Sequence, residues 1–224
     1  MLKRIFLVLV IFIQSIALSA QSEIQKAYDD SIAFLRESHK CKQLGLDNLT
    51  ASTPGTHLRI WLPTQVLDLV ITDENHVSGV LIDFVYMQPS RRIQKKKPWK
   101  LTYYSRETNI DPAIAAKIYN EFLNRKVLNF PESREEGNKV TAQFVTNDAM
   151  SERTFSPTGG RTAASFYAFL EQTLNLSDSF KELVKRLSPG TYCVGVMEKI
   201  TISPSRINIP EENDWYDYEQ EGYD

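Results

Sequence analysis

Three charged side chains stand at spacings that successive hairpins can bring together. If residues 62–65 make a tight turn, Arg59 lies across from Asp68; if residues 74–77 make the next loop, Asp83 falls across from Asp68 on the same face. Directly opposed residues of neighbouring strands are within side-chain reach, so Arg59, Asp68 and Asp83 form a cross-strand ladder and are the candidate catalytic residues. Two adjacent carboxylates repel, and in a closed site one of them keeps its proton to high pH, which is how acid–base pairs are made. The plainer reading is a solvated sheet face on which Arg59 offsets both acids. No GxSxG or HExxH pattern supplies an independent catalytic motif.

A second set of residues suits binding. The run RRIQKKKPWK places Arg91, Arg92, Lys95, Lys96, Lys97 and Lys100 within ten residues, with Trp99 beside the last of them. Clustered cations attract polyanions or an anionic membrane surface, and tryptophan seats well at such an interface. The same composition also suits an edge insertion that blocks strand-to-strand pairing. The segment is expected to be a long basic hairpin loop.

The chain end reads EENDWYDYEQEGYD. From Pro204 onward it carries Glu211, Glu212, Asp214, Asp217, Glu219, Glu221 and Asp224 against the single base Arg206, interleaved with Trp215, Tyr216, Tyr218 and Tyr223. Lacking apolar periodicity, this tail is expected to be disordered when free. Either it docks its aromatics on a basic surface, the 91–100 run being the nearest, or it only solubilises the chain.

Cys41 and Cys193 are the two cysteines. In an oxidising compartment an even pair points to a disulfide, here tying the N-terminal helix to the C-terminal strand. Free buried thiols are the other reading. Spacing excludes a CxxC redox pair, and His39, His57 and His76 offer no second ligand pair to complete a zinc site, so no metal or other cofactor is expected. Gly159-Gly160-Arg161-Thr162 has the look of a phosphate-loop ending, but Phe155 stands where the first glycine of that motif belongs and Arg161 replaces its lysine. It reads as a helix-entry turn.

These residues need elements to hold them. Ile24, Ala27, Tyr28, Ser31, Phe34 and Leu35 recur at helical spacing after a Ser22 cap, giving an apolar face that should dock on a sheet, and residues 39–55 read as loop. Strand-like runs follow at 57–62, 66–72, 77–87 and 99–105, joined by turn residues into an antiparallel meander. Asp111-Pro112 opens a helix running to about Lys126 as N-cap and first-turn proline. Two more strands are expected at 139–146 and 151–155, helices at 162–175 and 178–187 with Ser177 capping the second, and a last strand at 191–202. The order suggests an α+β fold, a mainly antiparallel sheet with helices packed on one face.

Residues 1–20 have the secretory layout: Lys3 and Arg4, an apolar run from Ile5 to Ile13, then Ala17, Ser19 and Ala20. The expected organisation is a signal peptide over 1–20, one globular domain over 21–203 and the acidic aromatic tail over 204–224. Export to the periplasm or outside the cell follows, with no transmembrane span after cleavage. Overall, 26 basic against 28 acidic residues in 224 is not the balance of a nucleic-acid binder. The expected function is a non-catalytic module that binds another envelope protein or an anionic surface through the basic run and the tail. A hydrolase acting on envelope glycan or peptide is the alternative, and a purely structural role the third.

Overall fold

Alternation in the strand-like runs puts Leu58, Ile60, Leu67, Leu69 and Leu81 on one side of a sheet, and that side is where the main core lies. The computed structural model describes residues 25–73, 76–88, 91–97, 99–133, 138–147, 149–195 and 198–204. The signal-like segment 1–20 and the tail from 205 onward lie outside the described residues, as do Trp215, Tyr216 and Tyr218.

A first helix, α1 (residues 25–43), leads into strands β1 (Thr56–Trp61), β2 (Gln65–Asp73) and β3 (His76–Met87). A short helix α2 (Arg91–Lys96) then precedes β4 (Thr102–Asn109), which completes the meander. Helix α3 (Pro112–Asn124) and a 3-10 turn (Val127–Asn129) lead to the hairpin β5 (Val140–Thr146) and β6 (Ala149–Phe155). Helices α4 (Arg161–Leu174) and α5 (Leu176–Val184) precede a second hairpin, β7 (Gly190–Val194) and β8 (Glu198–Ile202).

All eight strands join one antiparallel sheet, ordered β6-β5-β1-β2-β3-β7-β8 with β4 also on β3. The long β3 makes this possible. β4 occupies one of its edges from Val80 to Met87, so β7, which meets β3 at Tyr86, continues the edge that β2 leaves at Asp83. The fold is therefore α+β, as the element order implies.

On the main core face, Ala115, Ile118 and Phe122 of α3 and Phe166 and Leu170 of α4 pack on Leu58, Ile60, Leu67 and Leu69. Leu183 of α5 covers Val85 and Tyr192. Asp111 caps α3 as its sequence implies, accepting from the Ala113 and Ile114 amides at 2.9 and 3.4 Å. Gly160 is the N-cap residue of α4, so the Gly-Gly-Arg-Thr run is the helix-entry turn.

Helix α1 departs from the sequence reading twice. It continues through 39–43, where loop was expected, and it lies on the opposite sheet face from α3, α4 and α5. Its end is a Schellman motif: Gly45 takes φ 72°, the Leu46 amide donates to the Cys41 carbonyl at 2.9 Å and the Gly45 amide to Lys42 at 3.4 Å. This closure tucks Cys41, Leu44 and Leu46 against Val66, Ile82 and Phe84. The stripe expected to dock does not: Tyr28 is 56% and Phe34 67% exposed.

Two smaller corrections are local. The run 191–202 is a hairpin rather than one strand, because Gly195 adopts φ 59° and reverses the chain. Ser177 does not cap α5; its amide and hydroxyl both donate to the Glu171 carboxylate, and Asn175, in the left-handed region, starts the helix.

Candidate functional site

The expected ladder forms in half. Arg59 pairs with Asp68 across β1 and β2, its Nε donating to Oδ1 at 2.7 Å. It is no solvated face, since Arg59 is 2% exposed and also donates to the Asp47 carbonyl at 2.7 Å beneath the end of α1. Asp83 does not join them. Asp68 pairs with Val80, and Asp83 pairs with Gln65 on the other side of the sheet. The β2–β3 connection turns at Asp73–His76 with an irregularity between Ile71 and Asp73, which displaces the pairing by three residues from the expected register. An odd displacement changes the face.

On its own face Asp83 is fully buried and satisfied as a structural carboxylate. It accepts from Gln65 Nε2 at 2.6 Å, Ser179 Oγ at 2.7 Å and Arg106 at 3.3 Å, fastening α5 to the sheet. Each donor answers an oxygen that would otherwise be stranded in the core.

The cysteines are separate free thiols, which overturns the expected disulfide. Cys41 is held in the α1 cluster, whereas Cys193 sits on β7 opposite Tyr86. Burial pushes the Cys41 thiol up, against a smaller downward pull from Arg59.

The basic run is partly a helix. Arginine, glutamine and lysine are good helix formers, and residues 91–96 make the short α2 where a loop was expected. Arg92, Lys95, Lys96, Lys97 and Lys100 are exposed, Trp99 is half-buried, and Arg91 begins the helix. Among the described ion pairs none includes these cations. The His39 ring, 2.8 Å from the Leu101 carbonyl, ties the end of the run to α1.

Leu101 also borders a groove of about 580 Å³ between α1 and the sheet. Helix α1 contributes Arg36, Glu37 and Lys40; the sheet contributes Trp61, Tyr103, Gln143 and Glu152. The Gln143 amide organises the polar part. Its oxygen accepts from the Trp61 indole at 3.0 Å, and its nitrogen donates to Glu152 at 2.9 Å and Glu37 at 3.3 Å. Because an indole only donates and a carboxylate only accepts, these neighbours fix which way the amide points.

Lys40 lies at the groove's inner side. Its Nζ is 4.0 Å from the Trp61 ring centre and 4.2 Å from that of Phe84, and no hydrogen-bond acceptor or ion pair is found for it among the described residues. Burial pushes the amine down to about 8, with Cys41 and Glu37 pulling the other way. Tyr103, also lining the groove, is pushed up by burial to about 12.

Sequence reasoning missed Lys40, Glu37, Gln143 and Glu152. The Glu37–Lys40 spacing of one helical turn and the Gln143–Glu152 pairing within the expected hairpin were the available signals. What hid them was the side of the sheet on which α1 docks.

Among the described residues, no cluster of three His, Cys, Asp or Glu side chains is arranged to hold a metal, and no helix is long and apolar enough to cross a membrane. Compared with known proteins, the chain matches no family model, no curated protein and no solved structure.

Proposed function

We propose that this protein is exported and serves as a non-catalytic module that binds an anionic envelope component through the basic segment 91–100. The observation supporting this is the exposure of Arg92, Lys95, Lys96, Lys97 and Lys100 without a described ion-pair partner, on and just beyond α2. Ile93, also exposed, and Trp99 give the same segment an apolar component for an interfacial contact. The hydrolase reading rested on Asp68 and Asp83 sharing a site, and they occupy opposite sheet faces.

Sedimentation with vesicles of anionic or neutral phospholipid, over a range of salt, tests the binding. Near an anionic surface each lysine contributes about 1 kcal/mol, so loss of the Lys95, Lys96 and Lys97 charges alone weakens binding on the order of a hundredfold, and reversing them to glutamate should weaken it further. Binding that ignores salt and survives the triple reversal would sink the proposal. The intact mass of protein taken from its own host tests export through loss of the first 19 or 20 residues.

A further inference from the structure

The groove beside α1 takes no part in the binding proposed for the basic segment, yet it holds an amine in a setting that makes amines reactive. We propose that Lys40 is a nucleophilic lysine, and that the groove takes a small hydroxylated aldehyde or ketone which condenses with it to an imine.

Geometry supports this first. An ordinary lysine keeps its charge on the surface or against a carboxylate, but Lys40 Nζ stands against two aromatic rings with no acceptor found for it among the described residues. The rings favour the cation, whereas removal from water disfavours it and pushes the amine down to about 8, where it is competent as a nucleophile in mildly alkaline solution. Cys41 and Glu37 raise it only in part. Arg36 and Glu152 are the remaining charged groups lining the groove.

The rest of the lining selects the ligand. Glu37 and Glu152 are held side by side on the Gln143 amide, each with further lone pairs available. Such carboxylates accept from hydroxyls and repel an anion, so a neutral hydroxy-carbonyl compound fits better than an oxo acid. About 580 Å³ is room for a small molecule.

The step balances without any other reactant. The Nζ lone pair attacks the carbonyl carbon, forming the C–N bond as the C=O π pair moves to oxygen. Both nitrogen protons pass to that oxygen. Water departs, leaving the C=N bond.

The test is limited labelling of the full chain with glycolaldehyde and cyanoborohydride, the hydride trapping each imine as a stable amine, followed by peptide mapping. At pH 7.5 Lys40 should label about tenfold faster than Lys95, Lys96 or Lys97. Its rate should level off above pH 8. With glyoxylate, an anionic aldehyde, the advantage relative to Lys95 should shrink. Lys40→Arg, folded by near-ultraviolet circular dichroism, should lack the fast-labelling site. Equal or slower labelling of Lys40, or a fast site that persists in Lys40→Arg, would overturn the proposal.

Discussion

Arg59 and Asp68 face one another across β1 and β2, Nε to Oδ1 2.7 Å, with the guanidinium shut from solvent by the end of α1. Removing one partner of a buried pair leaves the other charge uncompensated. Arg59→Ala should therefore cost about 3–5 kcal/mol in a denaturant titration, and Asp68→Asn, which leaves the buried guanidinium without its counter-charge, a comparable amount. A cost for Arg59→Ala below about 1 kcal/mol is the behaviour of a surface pair and would contradict the burial.

Gly79 sits on β3 directly opposite Leu69. A Cβ there would lie 2.2 Å from Leu69 Cδ2 and 2.8 Å from the Asp68 carbonyl oxygen, and the backbone atom is fixed by the sheet. Gly79→Ala should destabilise by about 1–3 kcal/mol through overpacking. Thermal melting decides it, an unchanged midpoint being the contrary result.

Lys40 carries a sign that can be measured. Its folded value of about 8 is below the unfolded one near 10.5, so between these values the unfolded chain binds more protons and stability rises with pH. The penalty is complete below pH 8 and relieved by pH 10.5, on the order of 3 kcal/mol at most. Lys40→Met should be more stable than the parent at pH 6.5, with the gap closing towards pH 10.5. Cys41 and Tyr103, raised by burial, lower stability with increasing pH in both proteins, so the comparison is of the gap between the two curves and not of either curve alone. A gap that stays constant with pH would contradict the displaced value.

Reducing agent should leave the melting temperature unchanged, because Cys41 and Cys193 are free. A bridge closing so long a loop would contribute about 4–5 kcal/mol, and its reduction would be plain in a melt. Thiol titration of the unreduced, denatured chain should count both cysteines. A count of zero with normal folding would restore the disulfide.

What could be read from the chain was local. Asp111-Pro112 announces a helix start because cap and proline act within one turn, and Arg59 meets Asp68 because the Pro63–Gln65 connection is too short to permit slippage. Asp83 was misplaced because the next turn carries an irregularity, with Asp73 accepting from the His76 amide, and no pattern of apolar residues records where such a shift falls.

The sequence by itself determined the antiparallel meander, the α+β class, the alternation that puts Leu58, Ile60 and Leu62 on one side of β1 and its continuation, and the basic composition of 91–100. These follow from alternation, helical periodicity and turn chemistry, which act over a few residues. Only the tertiary structure decided that α1 lies on the second sheet face, that its apolar stripe stays exposed while Cys41, Leu44 and Leu46 dock, and that Lys40 comes to rest between Trp61 and Phe84. Those outcomes depend on which surfaces remain after α3, α4 and α5 have covered the first face, a competition among elements distant in the chain.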